Sequence, residues 1–173
     1  GITAVWGADD TGTIGRIMQS MVHRGPDDSG MHAYQRAAVG HRRLSIMDLA
    51  GGRQPIRNED ERIAIVANGE IYNFPALKQE LSLRHRFSTS SDSEAILHLY
   101  EDDGSDMAGG LDGMFAFILT DGRELFAARD PVGIKPLYYG QSGGRMVFAS
   151  ELKALCGCAS DVREFPPGTF YHS

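Results

Sequence analysis

Apolar positions along the chain change period several times, and each change marks an element. The opening residues Gly1-Ile2-Thr3-Ala4-Val5-Trp6-Gly7 read as a buried strand that begins at once. Behind Thr11 and Thr13, either able to cap a helix, Ile14, Ile17, Met18 and Met21 recur at helical spacing and predict a helix with one face inward. The segment His23-Arg24-Gly25-Pro26-Asp27-Asp28-Ser29-Gly30 is too rich in Gly, Pro and Asp for regular structure and reads as an ordered loop. Strands are expected around 37–39 and 44–46, a turn at Gly51-Gly52, and a further strand at the apolar run Ile63-Ala64-Ile65-Val66-Ala67.

Helical periodicity returns over 75–83, where Pro75 suits a first turn and Leu77 and Leu81 share a face. A second helix is expected over about 92–100. Ser91 and Glu94 have capping-box spacing there, and Ile96, Leu99 and Tyr100 form the apolar stripe. Apolar runs at 114–119 and 124–128 flank Asp121-Gly122, a strong hairpin signal. A second pair, 137–139 and 146–149, brackets Gly140 through Gly144 and leads to a short helix at 151–155. The pattern is mixed α+β with antiparallel hairpins in the majority. Two stacked sheets with flanking helices fit it best, although pattern alone does not separate that from one sheet with helices on one side.

Composition narrows the class. A chain of 173 residues suits one well-filled core, so a single domain over 1–173 is expected. No apolar run is long enough to cross a bilayer, and the N-terminal residues lack the features of a signal peptide, which points to the cytoplasm. The net charge of −6 offers no basic face and argues against a nucleic-acid binder. Two cysteines, Cys156 and Cys158, lack the spacing of common zinc or redox motifs, and the six histidines are scattered without ligand spacing. No metal site is expected.

Chemistry concentrates at Asn68-Gly69-Glu70-Ile71-Tyr72-Asn73. An amide side chain beside a glycine N–H can hold the charge that develops on a carbonyl oxygen under attack, and glycine admits close approach to the main chain. Asn-Gly is equally a signal for a tight hairpin turn, and on its own that plainer reading is favoured.

The wider sequence reverses those odds. The segments His23-Arg24-Gly25-Pro26-Asp27, Arg43-Leu44-Ser45-Ile46, Asn68 through Asn73, Ser91-Asp92-Ser93-Glu94, Asp112-Gly113-Met114-Phe115-Ala116-Phe117, Ala128-Arg129-Asp130, Gly133-Ile134-Lys135-Pro136-Leu137-Tyr138-Tyr139, Ser150-Glu151-Leu152-Lys153-Ala154-Leu155 and Phe165-Pro166-Pro167-Gly168 occur in order over nearly the whole chain. Together they resemble the glutaminase domain of class II glutamine amidotransferases, in particular the asparagine synthetase branch. The resemblance implies an N-terminal-nucleophile hydrolase fold, with two antiparallel sheets between helical layers. It also implies a reaction in which the side-chain amide of glutamine is cleaved to glutamate and the ammonia passes to a synthetase domain that amidates aspartate or a related acid.

On the same basis Arg43 matches the residue that holds the substrate α-carboxylate, and Asp92, with Glu70 assisting, the acceptor of its α-ammonium. Asn68 and Gly69 match the oxyanion donors, and the His23–Asp27 segment is assigned no chemistry. Plainer roles compete: a surface ion pair for Arg43, helix capping for Ser91 and Asp92. The family nucleophile is an N-terminal cysteine whose own α-amine acts as base, and it is expected immediately before Gly1. Cys156 and Cys158 carry no terminal amine and are poor substitutes. No cofactor is expected for this domain, since no phosphate-cradling glycine motif occurs; ATP and Mg belong to a synthetase domain expected in the parent protein or as a separate subunit. Glutamine is the expected ligand, a homodimer is compatible with the sequence, and the alternative function is a glutamine-binding or regulatory module without hydrolysis.

Overall fold

The computed structural model describes residues 1–44 and 52–173. Its first half contains β1 (Ile2–Trp6), α1 (Thr11–Ser20), a 3-10 turn (Val22–Arg24), β2 (Asp28–Ala33), β3 (Ala37–Arg43), β4 (Ile56–Arg57), β5 (Ala64–Ile71) and α2 (Phe74–Leu81). The second half contains α3 (Ser93–Asp103), a 3-10 segment (Gly104–Gly110), β6 (Gly113–Thr120), β7 (Leu125–Arg129), β8 (Tyr138–Ser142), β9 (Arg145–Ala149), α4 (Leu152–Leu155), β10 (Ser160–Glu164) and β11 (Phe170–His172). A six-stranded sheet runs β10-β8-β9-β1-β3-β2, and a five-stranded sheet runs β11-β7-β6-β5-β4.

Side-chain alternation divides the strands among three cores and settles the layer question. Ile2, Ala4 and Trp6 of β1 and Ala37 and Val39 of β3 pack against Ala64, Val66, Ala116 and Ile118, filling the space between the sheets. Val5 points the other way, onto Ile14, Ile17 and Met18 of α1 and Leu155 of α4. Ile65, Phe117 and Phe126 face Ile96, Leu97 and Leu99 of α3. The order is therefore helix, sheet, sheet, helix. This arrangement fixes the register of β5, because a slip of one residue would carry Asn68 from the inter-sheet face to the helical face.

Several expectations needed correction. The cap of α1 is Asp10, whose carboxylate accepts from the Thr13 N–H at 2.9 Å and the Thr13 hydroxyl at 2.8 Å. Asp28, Ser29 and Gly30, expected in a loop, open β2 because β3 offers them a partner, with Asp28 opposite Arg43. Leu44 lies beyond the end of β3, and the strand expected at 45–46 and the turn position at Gly51 fall outside the described residues. Asn68-Gly69 is not a hairpin turn; β5 continues through it, paired with Ala116 and Phe115. Helix α3 carries more than a stripe, since each residue from Ser93 to Leu99 is buried. Glu94 does not complete a capping box: its carboxylate takes the backbone N–H groups of Ser88 and Thr89 and both their hydroxyls.

Candidate active site

The segment Asn68–Ile71 is strand because β6 holds it, and glycine is required where the two chains come closest. Gly69 has φ +150° and a Cβ there would overlap the Met114 carbonyl oxygen. Phe115, opposite Gly69, directs its own backbone groups to Asp130, giving its N–H to Asp130 Oδ2 at 3.2 Å and accepting the Asp130 N–H at 2.8 Å. Gly69 and Phe115 are thus a non-hydrogen-bonded pair, and the Gly69 N–H points off the opposite edge of β5.

By the same parity the N–H groups of Ala67 and Ile71 leave by that edge, and both are taken. Ala67 donates to Gln54 Oε1 at 2.6 Å and Ile71 to Asp92 Oδ2 at 2.6 Å. Between them stands the Gly69 N–H. Beside it, Asn68 Nδ2 is buried with no hydrogen-bond partner among the described residues. A buried amide donor without a partner costs about 1–3 kcal/mol, and such an orphan next to a backbone N–H with no partner among the described residues is chemically suited to bind a ligand oxygen.

The facing sheet supplies the cation. Gly1 and Arg42 form a hydrogen-bonded pair, with the Gly1 amine donating to Arg42 O at 2.6 Å and Arg42 N–H to Gly1 O at 2.7 Å. Ile2 stands opposite His41, so the same register extended by one step sets a residue preceding Gly1 opposite Arg43. Alternation with Ile2, Ala4 and Trp6 turns that preceding side chain into the space between the sheets. Arg43, in step with Ala37 and Val39, and Asn68, in step with Ala64 and Val66, are on the two inner faces. Arg43 is only 9% exposed and its guanidinium packs on Gly52, where any Cβ would meet Nη2 at 2.6 Å.

The surroundings of this strand end are dry and basic. Burial first, and then the neighbouring Arg24, lower the Gly1 amine to about 5. Arg24 lies against Gly1 and is held by Glu151, 3.4 Å away, which also binds His23 at 2.8 Å. Gly25 passes so close to Arg42 that a side chain would overlap its carbonyl, and the Asp27 N–H donates to Arg43 O at 3.1 Å. The 23–27 segment therefore braces the ends of β1 and β3.

The sequence-derived residues fall into place unequally. Asn68, Gly69 and Asp92 are joined through the β5 edge, and Arg43 lies on the facing sheet. Asp92 turns its carboxylate to Ile71 rather than capping α3. Glu70 is exposed, and Asn73 is structural, its amide bonded to Gly110 O at 2.8 Å and to the Asp112 N–H at 3.0 Å. Burial pushes the Cys158 thiol up, away from nucleophilic character. Gln54 and Gly52 were not anticipated; both act through tertiary proximity to β5 and Arg43, which no local spacing signals.

Comparison with known proteins shows the family. The family model described as "Glutamine amidotransferase domain" matches residues 1–168. An asparagine synthetase [glutamine-hydrolyzing] 3 from Arabidopsis thaliana is 46% identical over 100% of this chain and 31% of its own length. An asparagine synthetase [glutamine-hydrolyzing] from Zea mays is 43% identical, with the same coverage. The chain thus spans about a third of these curated relatives. A solved glutamine phosphoribosylpyrophosphate amidotransferase from B. subtilis superposes with a TM-score of 0.84 at 26% identity, over 99% of this chain and 46% of that one. The chain is a member of the glutamine amidotransferase domain family, of the class II, N-terminal-nucleophile type.

Proposed function

We propose that this chain is the glutaminase unit of a cytoplasmic asparagine synthetase-like amidotransferase, with its nucleophile a cysteine immediately before Gly1. The observation that carries the reading is the pair of uncommitted donors, Asn68 Nδ2 and the Gly69 N–H, set between two committed ones on the β5 edge. Glutamine enters with its α-carboxylate on the Arg43 guanidinium, in a bidentate pair, and its α-ammonium on Asp92, with Glu70 assisting. The free α-amine of the cysteine takes the thiol proton, and the thiolate attacks the side-chain amide carbon. The oxyanion rests on Asn68 and Gly69. Collapse breaks the C–N bond, the protonated amine returns a proton to the leaving nitrogen, and ammonia departs from a thioester. Water then cleaves the thioester to glutamate and regenerates the thiol.

A cysteine opposite Arg43 fits the register, and the desolvation that lowers the Gly1 amine is the kind of environment that keeps a neighbouring terminal amine unprotonated. The ammonia is delivered to a synthetase domain, in cis or as a subunit, that activates aspartate or a related acid with ATP and Mg. The relatives' printed names and greater length support that assignment. The test uses the full-length natural protein. Its N-terminal residue is read by intact mass, glutamate release from glutamine is assayed, and glutamine binding is measured by calorimetry. An N-terminal cysteine with glutamate release supports the reading. A mature chain beginning at Gly1 that binds glutamine without releasing glutamate replaces it with a non-hydrolytic binding module.

A further inference from the structure

Away from the site, four side chains from three separate segments turn nitrogen and oxygen donors toward one point. Glu59 comes from the 58–63 turn between β4 and β5, His85 from the segment after α2, and His98 and Glu101 from adjacent positions on one face of α3. The donor atoms all lie within 4.8 Å of one another. His98 Nδ1 is 2.8 Å from Glu101 Oε2 and 3.8 Å from Glu59 Oε2. His85 Nδ1 is 3.6 Å from both Glu59 Oε1 and Glu101 Oε2. Donors of a tetrahedral zinc site, with bonds of about 2.0–2.1 Å, stand roughly 3.3 Å apart, so the cluster is already near the required size.

The outer groups are arranged as they are around bound metals. Each imidazole presents Nδ1 inward: His85 Nε2 is hydrogen-bonded to Asp102 Oδ1 behind it at 3.0 Å, while His98 Nε2 stands 3.7 Å from Glu94 Oε1, beyond hydrogen-bond reach and without a hydrogen-bond partner among the described residues. Asp102 is itself fixed by Arg84 at 2.7 Å. Glu101 accepts from Asn58 Nδ2 at 2.6 Å, and Glu59 from the Arg86 N–H at 2.7 Å. The Asp102 carboxylate selects the His85 tautomer that leaves Nδ1 free to ligate, whereas His98 Nδ1 holds a proton toward Glu101 Oε2 at 2.8 Å that a metal would have to displace. Glu59 also lines a cleft of about 620 Å³, together with Arg57, Asn58 and Arg86.

We propose that Glu59, His85, His98 and Glu101 form a binding site for a divalent transition metal of the zinc type, which staples the 58–63 turn and the segment after α2 to α3. Two imidazoles with two carboxylates favour zinc over magnesium or calcium. Binding displaces whatever protons the imidazoles hold and requires their rings, stacked at 20° with centroids 4.6 Å apart, to fan open. His85, 13% exposed and outside any helix, is the ring placed to turn. The ion would act structurally, holding the helix that Asp92 immediately precedes.

The test is zinc titration of the chelator-stripped, full-length protein, read by calorimetry and metal analysis, with cobalt(II) absorption as a geometric reporter. The expected result is a tetrahedral cobalt spectrum and one zinc per chain that is lost in His85→Gln. Asp102→Asn should bind zinc about 10–100-fold more weakly, as expected for an outer-shell partner. His98 is fully buried and its replacement risks the fold, so Glu59→Gln serves as the third variant, checked by circular dichroism. Zinc binding that is equal in wild type, H85Q and E59Q would place the metal elsewhere. No stoichiometric uptake would leave the cluster a buried ion-pair network. Either result overturns the proposal.

Discussion

Arg129 and Asp130, 5% and 0% exposed, form a polar node in which every charge is answered from within the chain. The guanidinium donates to Gly133 O and Lys135 O, each at 2.8 Å, to Phe165 O at 2.6 Å and to Glu164 at 2.7 Å. The carboxylate accepts the backbone N–H groups of Phe115, Val132, Gly133, Ile134 and Lys135. Asn68 and Gly69 lie on the strand paired with the one that carries Phe115, yet Asn68 Nδ2 and the Gly69 N–H have no partner among the described residues. Both regions are polar, the first buried and the second half-buried. The first uses its polarity to shape a loop, and under the proposed function the second keeps its polarity for a ligand. A buried polar group that is satisfied needs no further account, whereas an orphaned one calls for an explanation, of which a ligand is one.

The largest effect expected from breaking this contrast is on stability. Asp130→Ala leaves the buried Phe115 N–H and the part-buried N–H groups of Val132, Gly133, Ile134 and Lys135 without their acceptor and should cost about 3 kcal/mol, measured by urea unfolding. Burial alone would raise the Asp130 carboxyl, but the N–H groups of Ile134, Lys135, Gly133 and Phe115 outweigh it and hold it below the usual range. Unchanged stability in this variant would mean that the loop is not organised by the carboxylate.

Asn68→Ala should invert the pattern. Glutamate release should fall about 10²–10³-fold, equivalent to roughly 3–4 kcal/mol, while stability stays within about 0.5 kcal/mol because Asn68 Nδ2 has no partner among the described residues to lose. A stability loss as large as that of Asp130→Ala would show that the amide has an internal partner and is not an oxyanion donor. Arg43→Ala is placed next. It should weaken glutamine binding about 100-fold by calorimetry, the consequence of removing one partner of a buried charge pair. Unaltered affinity would move the carboxylate site away from the end of β3.

The two regions were not equally legible in the sequence. Strands with strong alternation or flanking turns, such as β1, β5 to β7 and the β8–β9 hairpin, announced themselves. The edge strands β4, β10 and β11 did not, because a two-residue strand has no period and Ser160–Glu164 is largely exposed and polar. Local rules misread Asn68-Gly69 as a turn since the competing partner, Phe115, is far away in sequence. Identities of the candidate site residues came from resemblance. What makes them a site did not, because the direction of the Gly69 N–H depends on the pairing parity of β5 with β6. The Glu59–Glu101 cluster was missed for a related reason, since its ligands come from three segments and have no sequence spacing.

His41 sharpens the comparison by titration. It is 7% exposed on the same strand as Arg43, and burial above all, assisted by the positive N-terminus and Arg43, lowers it to about 3. The unfolded chain has a histidine near 6.5, so below that pH the unfolded state binds a proton that the folded state refuses. The contribution is fully present above pH 6.5 and is lost as pH falls toward 3, reaching about 2 kcal/mol at pH 5. His41→Gln should flatten the stability profile between pH 7 and 4, whereas Asp130 contributes its own loss only at lower pH, where carboxylates protonate. If the wild-type and His41→Gln profiles run parallel through pH 6.5–5, the imidazole is hydrated, and the dry, cation-rich setting assigned to the end of β3 is wrong.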